Sequence, residues 1–425
     1  MSAPQLVLES GGPGSYGPIR LVFREPVDQD SVKARLNLDP PLKGRFLWAE
    51  RENNSGQVLA FWPEKPFLPG QVLKLTLEAG VTSQNGRKLR ERQTWQLNVR
   101  QPDVLFLAPS DKPDLWRIQM GGDSPIQLTF SGGGVYDYSP ALDGNHIAYS
   151  ARNEQGGLDL WEIIRDGGAP HLLLPCQTDW CSSPVYSPDG LQIAYTRRQA
   201  TSGVGVMPGN PRIWMLDTRS RVTDFLYIDP NVGGTEPIWS PDGRFLAFYD
   251  QRALGIRVLE VETHKDFVLP AKTGFNGSWS PDSQQILFSD TAELDSGPYG
   301  RVYVVDVDTQ RIHAALGDEA APVEYSTPEW APDGSGVAVA LRLVNGSPSK
   351  QIWFMQVDGT HRQAITEDQQ ITNAVYHWSP SGDRLVFQRL ETGSSDHRPI
   401  VAVWLRADGQ LNILAQDAFQ PRWLP

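Results

Sequence analysis

EPIWSPDGRFLAFYD, residues 236–250, is the stretch that decides the fold, because close variants of it recur along the chain. GSWSPDSQQILFSD begins at residue 277, PEWAPDGSGVAVA at 328 and YHWSPSGDRLVFQ at 376. Proline presets φ at the second position of a turn and glycine tolerates positive φ, so Ser-Pro-Asp-Gly predicts a tight turn. The alternation in RFLAFYD predicts a strand after that turn. Each copy therefore predicts two strands joined by a short connection.

The repeat has a regular period when its copies are aligned on the aromatic residue before the turn. Neighbouring copies lie 40 to 53 residues apart, which suits a unit of four short strands. A large aromatic in the predicted third strand marks most units a second time, where a bulky ring can fill the space between neighbouring sheets. The first-strand aromatics are Tyr138, Tyr186, Trp239, Trp279, Trp330, Trp378 and Trp423. The third-strand aromatics are Trp116, Trp161, Trp214, Tyr303, Trp353 and Trp404.

The two ends of the repeat region complete one another. Residues 103–129 predict the second, third and fourth strands of a unit, without a first strand. Residues 418–425, AFQPRWLP, predict a first strand with nothing after it. Joined, the two segments make one unit, so residues 103–425 predict a ring of seven blades closed by the C-terminal strand. A closed ring hides strand edges that would otherwise pair with other chains.

The recurring combination of WSPDG, an apolar second strand and an aromatic third strand resembles the TolB-type β-propeller repeat. The same repeat occurs in the propellers of prolyl-oligopeptidase-like peptidases. The resemblance covers residues 103–425 and implies a propeller fold, without implying one particular activity.

Residues 1–100 contain no copy of the repeat. Short apolar strands separated by Gly, Pro and Asn clusters predict a small β-sandwich there. GPIRLVFREPVDQDSV (17–32) and FWPEKPFLPGQVLKLTLEAGVTSQNGRKL (61–89) are similar to bacterial Ig-like domains, which occur as accessory modules on surface and secreted proteins. The predicted fold is therefore all-β: an Ig-like sandwich over residues 1–100, then a seven-bladed β-propeller over residues 103–425.

Composition narrows the classes of partner. Fifty acidic residues against 38 basic ones give a formal charge of −12, so there is no basic stripe to bind a nucleic-acid backbone. The sequence has no run of 18 apolar residues, which excludes a hydrophobic transmembrane helix. The first ten residues, MSAPQLVLES, lack the pattern of a signal peptide, so we expect any targeting segment to be absent from this chain.

The chain has two cysteines, Cys176 and Cys181, within PCQTDWCS. Two cysteines without further ligands nearby do not make a zinc site. The spacing favours a local disulfide, which would place the protein outside the cytoplasm. The alternative is a pair of reduced, half-buried thiols.

Catalytic motifs are absent from the sequence. It contains no G-x-S-x-G nucleophile elbow, no His-Glu-x-x-His and no phosphate-binding Gly-Lys loop. We therefore expect a non-catalytic protein that needs no metal or other cofactor.

Connection lengths predict a binding face. The connections from second to third strands are long at 197–211, 290–300, 342–350 and 389–399. They share one face with the crossings between blades, and binding residues concentrate on such loops. Trp180, which lies outside both repeated aromatic positions, is predicted to contact a partner on this face. The alternative is that Trp180 fills its own loop.

Polar residues close to the first-strand aromatics predict a second candidate site at the mouth of the central channel. Such a cluster could bind a cation, a sugar or a peptide terminus. The alternative is a water-filled channel whose polar side chains pair with each other. The residues are Asp137, Glu236, Asn276, Glu329, His377 and Arg422.

These observations predict a monomeric, extracytoplasmic binding or scaffolding protein whose partner, a protein or a cell-wall glycan, docks on the long-loop face. The alternative is a carbohydrate-active, lyase-like enzyme with a divalent metal at the propeller axis. Oligogalacturonate lyases are propellers that hold such a metal through several histidines, and His377 is the one histidine placed near the axis by this alignment.

Overall fold

The computed structural model describes the chain except for residues 8–11, 51–55, 123, 201–208, 275–276, 295–296, 318–322, 345 and 394–397. The chain divides into two compact units. The first comprises residues 1–102 with 142–145 and 425, and the second comprises 103–141 and 146–424. Both are built from β-strands, and the described residues contain one short helix.

The first unit has two antiparallel sheets, with strand orders β1-β2-β5-β4 and β3-β6-β7. Asp28 caps the helix, because its Oδ1 accepts hydrogen bonds from the amides of Asp30 and Ser31. The elements are β1 (Gln5–Val7), β2 (Ile19–Phe23), α1 (Gln29–Lys33), β3 (Leu36–Asp39), β4 (Gly44–Glu50), β5 (Gln57–Pro63), β6 (Val72–Leu77) and β7 (Gln93–Asn98).

Alternation along the strands forms the core of this unit. Leu73, Leu75 and Leu77 in β6 are buried, whereas Val72 and Lys74 are exposed. Apolar side chains of the two sheets join one buried cluster, so the sheets pack face to face as a sandwich.

The second unit repeats a four-stranded antiparallel pattern. The strand orders are β10-β9-β8-β35, β19-β20-β21-β22, β23-β24-β25-β26, β27-β28-β29-β30 and β31-β32-β33-β34. Strands β11–β14 and β15–β18 form two further groups, which a single parallel pairing of Leu158 with Trp180 joins into one sheet.

The strands of the second unit are mostly two to eight residues long, and β24 and β25 reach ten. They are β8 (Asp103–Ala108), β9 (Asp114–Gln119), β10 (Ile126–Gln127), β11 (Val135–Pro140), β12 (His146–Arg152), β13 (Leu158–Ile164), β14 (His171–Leu174), β15 (Trp180–Tyr186), β16 (Gln192–Arg198), β17 (Arg212–Asp217), β18 (Thr223–Phe225), β19 (Thr235–Trp239), β20 (Phe245–Asp250), β21 (Gly255–Glu260), β22 (Lys265–Pro270), β23 (Ser278–Trp279), β24 (Gln285–Leu294), β25 (Gly297–Asp306), β26 (Ile312–Ala314), β27 (Val323–Trp330), β28 (Val337–Leu343), β29 (Gln351–Met355), β30 (Gln363–Ala364), β31 (Ile371–Trp378), β32 (Arg384–Glu391), β33 (Ile400–Leu405), β34 (Leu411–Gln416) and β35 (Phe419–Leu424).

The Ser-Pro-Asp-Gly motif forms the turn between first and second strands. Between β19 and β20, the amide of Gly243 donates to the carbonyl oxygen of Ser240 at 2.9 Å, and Gly243 has φ of +76°. The Ser240 hydroxyl donates to Asp242 Oδ1 at 2.6 Å and accepts from the amide of Phe245 at 2.9 Å. The motif thus supplies both the backbone geometry and the side-chain bonds of the turn.

The C-terminal strand β35 pairs with β8, as the sequence predicts. Arg422 lies opposite Leu105, and Trp423 lies opposite Val104. One sheet therefore contains strands from both ends of the repeat region. We call this group, β8, β9, β10 and β35, the seam sheet.

Trp404 lies in a third strand, as predicted, but at a different register from the other third-strand aromatics. In the other units that carry such an aromatic, it lies opposite the middle of the second strand, as Trp214 lies opposite Tyr195. In β33 that position is occupied by Ala402, which lies opposite Phe387. Trp404 lies two residues further along and packs edge-to-face on Trp378, with ring centroids 6.4 Å apart. Ala402 is too short to fill the space between sheets, and Trp404 provides the large ring from a position two residues further along the strand.

Candidate binding site

The connections from second to third strands leave from one end of each sheet. Of the predicted long connections, residues 201–208, 295–296, 345 and 394–397 lie outside the described residues. The long connection predicted at 290–300 is wrong, because β24 and β25 pair with each other as far as Leu294 and Gly297. Because the strands alternate in direction, the connection from second to third strand and the crossing to the next sheet begin at the same end. Hydrogen bonds join the two kinds of connection: the amide of Ser110 donates to Asp417 Oδ1 at 3.2 Å, and the amide of Gly233 to Asp250 Oδ1 at 3.2 Å. We call the surface made by these connections the loop face.

Trp180 lies at the loop-face end of β15. Its ring contacts that of Tyr136 edge-to-face, with centroids 6.2 Å apart, which is a favourable aromatic geometry. Tyr136 is 47% exposed and Trp180 is partly exposed. Arg198 is the antiparallel pairing partner of Trp180 in β16.

The loop that leads to Trp180 is fastened at several points. Cys176 and Cys181 form a disulfide, and both are buried. Asp159 Oδ1 accepts a hydrogen bond from the amide of Cys176 at 2.7 Å. The carbonyl oxygen of Asp179 accepts from the amide of Leu158 at 3.0 Å. These bonds tie the loop to β13 and so anchor the backbone that carries Trp180.

The carboxylate of Asp179 extends this network to the next hairpin. It accepts two hydrogen bonds from the Arg197 guanidinium, through Nε and a terminal nitrogen, both at 2.8 Å. The other carboxylate oxygen accepts from the amide of Ala200 at 2.9 Å. Arg197 in turn lies 4.8 Å from the ring centroid of Trp214. The base of the loop is therefore held to both neighbouring strand groups.

First strands carry a bulge near the predicted channel mouth, which sequence reasoning missed. In five of them a non-glycine residue three positions before the repeated aromatic has positive φ, between 45° and 52°. Non-glycine residues adopt this conformation rarely, and no residue type marks it, so its signal is position alone. The residues are Ser183, Glu236, Thr327, Val375 and Gln420.

Side chains of the preceding sheet bind the amides of three bulge residues. The amide of Ser183 donates to Asp137 Oδ2 at 2.6 Å. The amide of Glu236 donates to Thr196 Oγ1 at 3.1 Å. The amide of Gln420 donates to Gln388 Oε1 at 3.2 Å in the same way. The bulges thus join neighbouring sheets.

Glu329 and His377 form a pair between neighbouring first strands. Glu329 Oε2 lies 3.0 Å from His377 Nδ1, with both side chains partly buried. Glu329 Oε1 accepts a hydrogen bond from the amide of Trp378 at 3.0 Å. Both carboxylate oxygens are therefore engaged within the protein.

Asp137 belongs to a second local group. Its Oδ1 accepts a hydrogen bond from the Ser150 hydroxyl. Burial raises the pKa of Asp137 above its usual range, and the positive charge of Arg422 opposes that shift. Arg422 itself is exposed.

The remaining predicted residues are Glu236 and Asn276. Glu236 is exposed, and Asn276 lies outside the described residues. The described contacts divide the predicted set into the Glu329–His377 pair and the surroundings of Asp137. A shared binding site at the channel mouth stays a prediction.

Metal-binding clusters and membrane-spanning helices would distinguish some of the alternatives. Within the described part of the chain, no three His, Cys, Asp or Glu side chains are grouped so that they could hold a metal ion. No described helix has the length and apolar character needed to cross a membrane.

Sequence comparisons give distant relatives. No family model matches the chain. An uncharacterized protein of Agrobacterium fabrum is 24% identical over 293 residues, which are 64% of this chain and 93% of that protein. An uncharacterized peptidase of Bacillus subtilis is 26% identical over 221 residues, 51% of this chain. The match spans 30% of that peptidase.

Structural comparisons show the fold alone. An oligogalacturonate lyase of Vibrio parahaemolyticus is similar at a TM-score of 0.53 and 12% identity, over 74% of this chain and 85% of the lyase. A puromycin-hydrolyzing peptidase of Mycobacterium tuberculosis is similar at a TM-score of 0.50 and 14% identity, over 83% of this chain and 53% of the peptidase. TolB from Acinetobacter baumannii is similar at a TM-score of 0.45 and 18% identity, over 66% of this chain and 67% of TolB. The chain is all-β, and its structural neighbours are β-propeller proteins.

Proposed function

We propose that the protein is a non-catalytic binding module that recognises its partner, a protein or a cell-wall glycan, through the loop face of the second unit. The observation that carries this proposal is the Trp180–Tyr136 pair. Two partly exposed aromatic rings lie in contact at the loop-face ends of neighbouring strand groups. Large aromatic side chains are enriched among the residues that contribute most to binding.

The fastening of the Trp180 loop supports a binding role. A preorganised side chain loses little conformational freedom when a partner arrives, so more of the contact energy appears as affinity. The disulfide and the bonds from Asp159 and Asp179 provide that order. Structural disulfides persist in oxidising compartments, which supports action outside the cytoplasm.

The proposed architecture is a seven-bladed propeller preceded by an Ig-like sandwich. Seven groups of four strands over residues 103–424 support the blade count. Contacts of β11 with β15, of β15 with β19, and of β35 with both β31 and β11 support closure of the ring at the seam sheet. Two antiparallel sheets packed face to face support the sandwich in residues 1–102.

The test compares immobilised wild-type protein with Trp180→Ala and with Cys176→Ala/Cys181→Ala. Each is challenged with the envelope fraction of the producing cells and with soluble cell-wall fragments. We expect one saturable component to be retained by the wild type and lost from Trp180→Ala, with weaker retention by the cysteine variant. Ile164→Ala, an exposed change at the opposite end of β13, is the matched control.

Thermal unfolding of every variant separates lost binding from lost folding. Equal retention of the component by Trp180→Ala and by the wild type would overturn the assignment of the loop face. Turnover of a cell-wall fragment by the wild type would overturn the non-catalytic role.

A further inference from the structure

Three crossings between sheets are built on the same plan. In each, the first residue after the fourth strand donates its amide to the carbonyl oxygen of the residue before the third-strand aromatic. Leu128 donates to Leu115 at 2.8 Å, Leu226 to Ile213 at 2.9 Å and Ile365 to Ile352 at 2.9 Å. The residues that follow can therefore be compared position by position across the three loops.

The fourth position of this plan is held by a side chain at the start of the third strand. In the first loop, Asp114 Oδ1 accepts hydrogen bonds from the amide and hydroxyl of Ser131 at 2.8 and 2.6 Å. In the second, a terminal nitrogen of Arg212 donates to the carbonyl oxygen of Asp229 at 3.2 Å.

The third loop uses yet another side chain at the same place. Gln351 Nε2 donates to the carbonyl oxygen of Asp368 at 2.8 Å. A carboxylate, a guanidinium and an amide thus each form a hydrogen bond with the fourth residue of their loop. Each fixes the residue that directly follows the third loop position.

The third position is the exposed tip of each loop, and its occupants differ sharply. Phe130 is 80% exposed and Ile228 is 86% exposed, the highest values among the large apolar residues that the structure describes. The equivalent residue of the third loop is Glu367, also exposed. A charged residue occupies the same geometry, so neither the Phe130 nor the Ile228 side chain is needed to build its loop.

The two apolar tips flank the Trp180 site. The Phe130 loop enters β11, the Cys176–Cys181 loop enters β15 and the Ile228 loop enters β19. All three are successive crossings on the loop face. Phe130, Tyr136, Trp180 and Ile228 therefore present apolar groups along three consecutive crossings, and we call this set the apolar arc.

From this arrangement we propose that the loop face binds a protein partner whose apolar pockets receive Phe130 and Ile228. The inference rests on the proposed binding function and names the class of its partner. Protein interfaces use apolar side chains that are largely exposed in the free protein, on backbones held in place, as anchors. Exposed apolar patches that the fold does not require mark interaction sites.

Chemistry favours a protein over the other surfaces. A saccharide stacks on aromatic faces and exchanges hydrogen bonds, and the aliphatic side chain of Ile228 offers neither. An anionic lipid surface attracts basic segments, whereas this chain carries a formal charge of −12. Charges of both signs lie next to Ile228, because Asp229 follows it in the chain and the Arg212 guanidinium donates to the Asp229 carbonyl oxygen, as in the polar rim of a protein interface.

The test uses random peptides displayed on phage and selected on the wild-type protein. Selected peptides are synthesised, and their Kd is measured for the wild type, Phe130→Glu and Ile228→Glu. Glutamate is chosen because Glu367 shows that these loops accept it. Burial of each side chain contributes enough that we expect each change to weaken binding by about tenfold or more.

Val222→Glu is the matched control, since Val222 is 64% exposed and lies in the turn between β17 and β18 at the opposite end of that sheet. It should bind the peptides as the wild type does. Unchanged melting temperatures of the three glutamate variants show that the fold is intact. Glu367→Phe, the reciprocal exchange, should also fold normally.

Two results would overturn the assignment of a protein partner. One is that the selection enriches no peptide, and the other is that the Kd is the same for the wild type and both tip variants. Sedimentation with vesicles of phosphatidylcholine and phosphatidylglycerol, lost in the tip variants, would assign the arc to a membrane instead. Loss of peptide binding in Trp180→Ala but in neither tip variant would leave the proposed function standing and remove this inference. If Trp180→Ala, Phe130→Glu and Ile228→Glu all bind the peptides as the wild type does, both the proposed function and this inference are rejected.

Discussion

Asp103 Oδ2 lies 2.6 Å from a terminal nitrogen of Arg165 and 2.8 Å from a terminal nitrogen of Arg117. All three side chains are buried, with Asp103 2% exposed. Asp103 and Arg117 belong to the seam sheet, whereas Arg165 follows β13 in the next strand group. One carboxylate therefore compensates two buried guanidinium groups and joins the seam sheet to its neighbour.

Asp103→Asn should strongly destabilise the second unit. The change preserves the shape of the side chain but leaves two buried cations without their shared counter-charge, for which we expect a loss of about 3–5 kcal/mol in the free energy of unfolding. Chemical denaturation of wild type and variant measures it. Asp166→Asn is the control, because Asp166 lies 3.8 Å from Arg117 and is half exposed, so its loss should be about 1 kcal/mol or less. Equal effects of the two changes would show that burial of the ion pair does not matter.

The indole of Trp423 should stabilise the seam through its hydrogen bond as well as its volume. Its Nε1 donates to the carbonyl oxygen of His377 at 2.8 Å. Trp378 is equally buried, at 5% exposure, but its Nε1 has no hydrogen-bond partner among the described residues. Both lose the same atoms on replacement by phenylalanine, so Trp423→Phe should cost about 1–2 kcal/mol more than Trp378→Phe. Paired denaturation curves test this, and equal losses would assign the role of Trp423 to packing alone.

The strands and their pairing were largely predictable because they follow from local chemistry. Ser240, Asp242 and Gly243 form the turn that their residue types predict. The pairing of Trp423 with Val104 was predictable because residues 103–129 lack the first strand of a unit and residues 418–425 supply a first strand with nothing after it. The disulfide between Cys176 and Cys181 follows a pattern that favoured it over free thiols.

The site was less predictable because it depends on contacts that different residue types can make. Asp114, Arg212 and Gln351 fix equivalent loops by unrelated groups, so no sequence pattern unites them. The positive φ of Val375 is imposed by the bulge and not by residue preference. Exposure of Phe130 could not be read from the sequence, since an apolar residue after a short strand normally predicts burial.

Asp137 should make stability depend on pH in the direction opposite to a salt-bridged carboxylate. Burial raises its pKa in the folded state, so the folded protein favours the protonated form. That stabilisation is complete below the unfolded pKa of about 4 and is lost as pH rises through the folded pKa. Asp137→Asn has no such charge to desolvate, and its amide can bind both Ser150 and the amide of Ser183.

The stability of Asp137→Asn relative to the wild type should therefore increase between pH 4 and pH 7. Denaturation at a series of pH values measures the difference in unfolding free energy, and Asp189→Asn, a turn carboxylate in the next strand group, serves as the control. A difference that stays constant with pH would show that Asp137 is ionised in the folded protein without penalty. A difference that falls with rising pH would show that its carboxylate is the stabilising form, held by the amide of Ser183 and the charge of Arg422.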